Sequence, residues 1–137
     1  MNFDISSIEA SPSITFDVEI GKRADGAPVG FRIVGPNSSQ YQKATRALEL
    51  QGIKESAARK GVLDMTTDEG AQVVIDGAKS RREAVVKACV VDWFGFAFGE
   101  GPAPFTQDNL DRVLAARPAW VVRLAMAIED DANFEKG

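Results

Sequence analysis

No part of this sequence limits the fold more than the stretch from Arg82 to Phe98, which reads REAVVKACVVDWFGFAF. Its apolar side chains recur every four residues in two neighbouring rows, which together would cover one broad face of a helix. The rows are Val85, Cys89 and Trp93 and, one step round, Val86, Val90 and Phe94. This pattern predicts a helix that runs through Phe94, ends at Gly95 and Gly99, and needs other elements to cover its apolar face.

Aromatic residues crowd around the predicted end of this helix. Two interpretations are open for them. Large apolar side chains at helical spacing are usually buried, so the cluster could belong to the core. Alternatively, part of it stays exposed for a partner, in which case a patch of roughly a few hundred Å² should remain on the surface. The cluster consists of Trp93, Phe94, Phe96 and Phe98.

The composition excludes several kinds of chemistry. With 137 residues, 45% of them hydrophobic, the chain fits a single domain with one core. Histidine is absent, and histidine is the commonest general base and metal ligand, so histidine-dependent catalysis is excluded. The one cysteine, Cys89, allows neither an intrachain disulfide nor a thiolate metal cluster. The net charge of -4 argues against nonspecific binding to nucleic acid.

Residues 1–12 contain three serines and no hydrophobic period, which predicts a flexible N-terminal arm. They lack the basic segment and apolar stretch of a secretion signal, and no run in the sequence is long enough to cross a bilayer. We therefore expect an intracellular protein that does not bind membranes.

Two alternating runs predict an antiparallel β-hairpin at residues 13–34. The runs ITFDVEI and VGFRI each alternate apolar with polar or small residues, as a strand with one buried face does. Asp25 and Gly26 lie between them and favour a tight turn. A lone two-stranded ribbon is marginal in water, so its apolar face must pack on helices or on another subunit.

Residues 35–131 carry the periodicity and the caps of helices. Thr106 is a suitable cap for one short helix, and Pro118 favours the start of a separate one, because proline suits the first helical position. Together with the hairpin, about four helices predict an α+β fold that is predominantly helical. Residues 132–137 then form a C-terminal tail.

Glu129, Asp130 and Asp131 stand at the predicted C-terminal end of the last helix. Acidic charge there opposes the helix dipole by about 0.3 to 1 kcal/mol per residue. A local rule broken without visible compensation marks a candidate functional site. The three neighbours lack the spacing of a calcium loop, so we interpret them as partner-binding residues and expect no metal.

A basic cluster on the long helix raises the alternative of nucleic-acid binding. It is interrupted by Glu83 and Asp92 and has no interleaved aromatic residue for stacking. A charge run on a helix is usually a solvated face, so nucleic acid is not the expected partner. The cluster consists of Lys79, Arg81, Arg82 and Lys87.

Several segments occur here in a characteristic order: a hairpin ending in FRIVGPNSSQYQKA, a charged helical middle, VVDWFGF, a Gly/Pro turn, PFTQDNLDRVLAA, PAW and DANF. In this order the chain, from about Val29 to Phe134, resembles the tail assembly chaperones of long-tailed bacteriophages and their prophages. The resemblance implies a non-enzymatic factor of the host cytoplasm that is absent from the mature virion. It also implies a homo-oligomer that holds the tape-measure protein soluble and recruits tail-tube subunits.

Such families often make a longer product by a programmed minus-one frameshift near the end of the short reading frame. Glu135-Lys136-Gly137 can be encoded GAA-AAG-GGN, which contains the slippery heptamer A-AAG-GGN. The amino acids permit this site, and the codons of the gene decide whether it exists.

The expected mechanism is the capping of apolar helical segments of a long partner by aliphatic and aromatic surface, with acidic residues opposing basic partner segments. No catalytic residue, metal or cofactor is expected. The alternatives are a structural virion subunit of the tail or neck, a DNA-binding regulator, and an enzyme. The predicted partner-binding residues are Trp93, Phe94, Phe96, Phe105, Trp120, Glu129, Asp130, Asp131 and Phe134.

Overall fold

The computed structural model describes residues 14–58, 64, 66–99 and 101–135, so the predicted arm at residues 1–12 lies outside the described residues. Within them, a β-hairpin precedes four α-helices, which confirms the predicted α+β fold. The elements are β1 (Thr15–Lys22), β2 (Pro28–Val34), α1 (Ser39–Ala58), α2 (Asp68–Cys89), β3 (Val90–Phe94), β4 (Ala97–Phe98), β5 (Gly101–Pro102), α3 (Gln107–Ala116), α4 (Pro118–Glu129) and a 3-10 helix (Asp131–Phe134).

The hairpin forms as its alternating sequence predicts. β1 and β2 are antiparallel, with Val18 opposite Phe31. Gly26 turns the chain with a φ of +88°, a conformation that glycine adopts without steric cost. The Asp25 carboxylate supports the turn by accepting a hydrogen bond of 3.0 Å from the backbone N–H of Ala27.

The structure corrects the predicted helix through Phe94. α2 ends at Cys89, and the chain continues directly into β3, which pairs antiparallel with β2 and places Trp93 opposite Phe31. Without β3, the outer edge of β2 would leave its backbone N–H and C=O groups unpaired inside the fold. The valine and aromatic side chains of β3 also favour an extended chain. The region predicted as helical, residues 35–131, therefore contains the strands β3, β4 and β5.

One hydrophobic core joins the three-stranded sheet, of order β1-β2-β3, to the helices. The hairpin therefore packs on helices of its own chain, which is one of the two arrangements that the sequence left open. The N-terminal caps of α3 and α4 are as predicted: the Thr106 side chain accepts from the backbone N–H of Asn109, and Pro118 begins α4. The largest fully buried apolar side chains are Phe31, Ile33, Leu110, Leu114, Leu124, Ile128 and Val86.

α1 differs from the other helices, because none of its residues is buried. It packs against α2, its half-buried residues, such as Tyr41 and Leu48, all lie in its first half, and its second half is exposed throughout. In the described part of the chain, no helix has the length and the hydropathy that a membrane span requires.

Candidate partner-binding surfaces

The predicted aromatic cluster is built around Trp93. Its ring lies 4.5 Å from the ring of Phe96 and 5.5 Å from that of Phe105, measured between centroids. Phe31 extends the cluster to Trp120, at a centroid distance of 6.2 Å. Edge-on and tilted ring pairs at these distances are favourable arrangements for aromatic side chains. β3, the start of α4 and the segment before α3 thus meet at one aromatic group.

Trp93 is a core residue, which corrects its prediction as a partner-binding residue. Only 8% of its surface is exposed, so a partner has almost nothing to contact. Its indole N–H donates a hydrogen bond of 3.0 Å to the backbone carbonyl of Ala103, which fixes the residue after β5 against the indole. Phe96, Phe105 and Trp120 are half-buried and keep some surface at the edge of the cluster. Phe94 is also half-buried, but it lies outside the cluster, on the opposite face of the sheet beside Gly30.

Phe134 is likewise a core residue, with 3% of its surface exposed. Its ring packs edge-on against Phe16, with centroids 6.3 Å apart, and lies directly over Gly35. A Cβ atom at Gly35 would come within 2.6 Å of the Phe134 ring, so the glycine leaves the space that the ring fills. The first residues of the predicted C-terminal tail therefore form a 3-10 helix that anchors the chain end to the hairpin.

The acidic residues at the end of α4 have structural partners that the sequence did not reveal. Glu129 accepts a hydrogen bond of 2.8 Å from the hydroxyl of Tyr41 on α1. Asp130 caps the 3-10 helix by accepting from the backbone N–H of Ala132 at 3.2 Å. Asp131 lies in the first turn of that helix, where negative charge is favourable. Asp130 and Asp131 thus support the helix that follows α4, and Glu129 is held by Tyr41, which together supply the missing compensation. All three carboxylates remain exposed.

Tyr41 offers a direct test of the contact between α1 and α4, because it is the only tyrosine of the chain. Burial and the hydrogen bond to Glu129 raise the pKa of Tyr41 to about 12. An unfolded tyrosine titrates near about pH 10. The stability that arises from this shift is therefore complete below about pH 10 and is lost as the pH rises through about 12.

We expect the tyrosinate absorbance of the native protein to lag behind that of the protein in denaturant throughout this alkaline range. The Glu129→Gln variant removes the charge that acts on the hydroxyl, so its tyrosinate should form at lower pH than in the parent protein. Coinciding native and denatured titration curves would show that Tyr41 does not make this contact.

The structure also reveals an exposed apolar surface that was not predicted. Leu50 and Ile53 on α1 are 53% and 66% exposed. They lie three residues apart on the outer side of the helix, away from the inner row of Tyr41 and Leu48. The spacing of this second row is visible in the sequence, but spacing alone does not show which of two apolar rows the fold covers. Further exposed apolar residues of the helices are Val73, Val74, Ile75, Val122 and Met126.

A groove of about 520 Å³ lies where α1, α2 and α4 meet. Its apolar lining comes from one helix each: Leu48, Val85 and Ala125. Charged side chains complete the lining, with Arg81 and Arg82 from α2 and Glu49 and Glu129 from α1 and α4.

No cluster of three or more His, Cys, Asp or Glu side chains suited to a metal occurs among the residues the structure describes. Burial raises the pKa of the Cys89 thiol to about 12, which keeps it protonated and unreactive near neutral pH.

The chain matches no protein-family model, no curated protein and no solved structure. Its function is therefore inferred from the surfaces described above.

Proposed function

We propose that this protein is a non-enzymatic tail assembly chaperone of a long-tailed bacteriophage or prophage. In this role it self-associates in the host cytoplasm, binds the tape-measure protein and recruits tail-tube subunits. The observation that carries the proposal is α1, a 20-residue helix with no buried residue that exposes Leu50 and Ile53. The ordered segments from about Val29 to Phe134 that resemble this family point the same way.

An exposed row of apolar side chains costs free energy in a protein that has no partner to cover it. Removing apolar surface from water is worth about 25 cal/mol per Å², so a partner that covers Leu50 and Ile53 gains affinity. Apolar residues concentrated on one face indicate a protein-binding site more often than scattered ones do. A surface of this kind suits reversible capping of apolar helical segments in a long partner. A pocket of converging ionisable groups would instead favour an enzyme.

The most direct test is coexpression with the very long, helix-rich protein expected from the adjacent downstream gene. We expect the parent protein to keep that partner soluble and to copurify with it. The double variant Leu50→Asp/Ile53→Asp should still fold, because both side chains are already exposed, and should lose only about 1 kcal/mol through the lower helix propensity of aspartate. Its affinity for the partner should fall by at least about tenfold, since two apolar contacts are replaced by desolvated carboxylates.

Phe98→Asp is a matched control, because Phe98 is an exposed apolar residue on β4, outside the helices. It should retain the partner. Binding that is unaffected by the double variant would remove α1 from the proposed mechanism. Mass spectrometry of purified particles supplies the second test: the chaperone should be absent, and its presence in many copies would identify a structural subunit instead.

A further inference from the structure

The outer side of α1 carries a stripe of exposed residues whose apolar centre is formed by Leu50 and Ile53. At about 100° per residue, these two lie about 200° and 140° round the helix from Leu48, which lines the groove toward α2 and α4. Leu50 and Ile53 therefore point away from α2 and the core, and both keep more than half of their surface exposed.

Basic residues flank this apolar pair along the same stripe. Arg46 and Lys54 lie four residues before and after Leu50, and Lys43 lies one turn before Arg46. All three basic side chains are exposed, and none makes a salt bridge within the described part of the chain.

The acidic residues of α1 do not cancel this positive charge. Glu55 lies toward α2, where its carboxylate accepts a hydrogen bond of 3.0 Å from the side chain of Gln51. Glu49 lies at the border, because it lines the groove toward α2 and α4 and also a depression beside Lys43 and Arg46. Three basic residues against this one carboxylate leave two positive charges on the outer side. The stripe thus favours a ligand that is both apolar and acidic.

The predicted arm at residues 1–12 has this complementary composition. Phe3 and Ile5 are large apolar residues, and they lie on the same side of an extended chain, about 7 Å apart. The charged side chains of the arm are those of Asp4 and Glu9, and it contains no lysine or arginine. The arm therefore combines the apolar surface and the negative charge that the stripe favours.

The arm joins the fold beside the start of α1. It leads into β1, whose first residue, Thr15, pairs with Val34 at the end of β2. Only residues 35–38 separate Val34 from α1, and they form a turn closed by a hydrogen bond of 3.0 Å from the backbone N–H of Ser38 to the carbonyl of Gly35. The connection between the arm and β1 is thus close to the first turn of α1.

The arm is also long enough to follow α1 along the stripe. Ile53 lies about 21 Å from Ser39 along the helix axis, at 1.5 Å per residue. Ile5 precedes Thr15 by ten residues, which span up to about 33 Å when extended. The remaining length, about 12 Å, is available to cross from β1 to α1.

We propose that the arm binds the outer side of α1 in its own chain. Its apolar residues cover Leu50 and Ile53, and its two carboxylates lie near the basic residues that flank them. The arm then occupies the row that the proposed function assigns to the partner, so the partner must displace the arm in order to bind. This competition rests on the proposed function, whereas the contact between the arm and α1 does not.

Disulfide trapping in the full-length protein tests the contact. Ser6→Cys/Ala47→Cys places one thiol in the arm and one on α1, one turn before Leu50, and Cys89 does not interfere because it is fully buried. Ser6→Cys/Ala78→Cys is the matched control, because Ala78 is likewise an exposed alanine but lies on α2. Under mild oxidation, we expect the intramolecular disulfide of the first pair to form on the order of tenfold faster, since a bound arm raises the local concentration of its thiol.

Equal rates for the two cysteine pairs would overturn the proposal. Disulfide-linked dimers in place of the intramolecular disulfide would overturn it as well, because they would show that the arm binds a second copy of the chain.

Charge reversal tests the attraction between the arm and the stripe. Asp4→Lys/Glu9→Lys should slow trapping severalfold, and this loss should be smaller at about 500 mM salt. Adding Lys43→Glu/Lys54→Glu should restore trapping, since the charges on the two sides are then opposite again. Trapping that is indifferent to these changes would contradict the role of the carboxylates.

Partner binding tests the competition separately. Phe3→Asp/Ile5→Asp releases the arm, so the affinity for the tape-measure protein should rise by at least about threefold, because a larger fraction of the chains has the row uncovered. Unchanged affinity together with lost trapping would overturn the competition. If neither the parent protein nor this variant binds the tape-measure protein while trapping still occurs at Ala47, the proposed function fails and the arm contact stands.

Discussion

Replacing Phe134 by alanine is expected to lower the free energy of unfolding by about 3 to 5 kcal/mol, the usual cost of deleting a buried phenylalanine ring. The ring fills the space over Gly35 and contacts Phe16, and the other residues of the 3-10 helix are exposed or half-buried. Its loss leaves a cavity and detaches the 3-10 helix from the hairpin. Urea denaturation followed by tryptophan fluorescence measures the change.

Phe98→Ala is the matched control for this prediction. Phe98 is the same residue type but lies exposed on β4, where its ring faces the guanidinium of Arg112 at 5.2 Å from the ring centroid. Its truncation should cost no more than about 1 kcal/mol. If Phe134→Ala lowered the free energy of unfolding as little as Phe98→Ala, Phe134 would not be part of the core. It would then again be available as a partner-binding residue.

Gly95→Ala should destabilise the protein nearly as much as Phe134→Ala, with an expected loss of about 2 to 4 kcal/mol in the free energy of unfolding. Gly95 has a φ of +83°, which is unfavourable for any residue with a Cβ atom. An added Cβ would also overlap the backbone carbonyl oxygen of Pro28 and come within 2.9 Å of the Cα atom of Val29. Both are backbone atoms of β2, so no side-chain rotation relieves the contact. The thermal midpoint and the urea midpoint should fall together.

Gly26→Ala separates the two causes. Gly26 has a similar φ of +88°, but an added Cβ there has no neighbour within 4 Å. It should therefore lose only the backbone contribution, about 1 to 2 kcal/mol. The difference between the two variants measures the steric contact between the turn after β3 and β2. If both variants lost the same free energy of unfolding, β2 would be moving away from the Cβ atom added at Gly95 without cost. That result would contradict a rigid β2–β3 pair.

These variants also distinguish loss of fold from loss of binding. Phe134→Ala and Gly95→Ala act on core contacts and should reduce the amount of folded protein, whatever its partner. Leu50→Asp/Ile53→Asp changes exposed side chains and should leave the fold intact. Normal unfolding behaviour combined with a loss of partner binding is therefore expected only from Leu50→Asp/Ile53→Asp.

The contrast between Trp93 and Ile53 shows where sequence patterns stop being informative. Both are large apolar residues at helical spacing, and this pattern alone does not distinguish a core residue from an exposed one. Trp93 is buried because Phe31, Phe105 and the backbone of Ala103 all lie against it. Ile53 is exposed because α1 extends past the core and no described element covers its outer side.

Local patterns were sufficient for the hairpin, its turn at Gly26, the Thr106 cap and the break before Pro118. Each of these depends on a side chain acting on backbone groups a few residues away, so the amino-acid order carries the whole cause. Strand β3, the buried Phe134 and the bond from Tyr41 to Glu129 depend instead on residues far apart in the chain. Their partners meet only when the fold closes, because unpaired strand edges and uncovered apolar surface must be satisfied by whatever lies nearby in space.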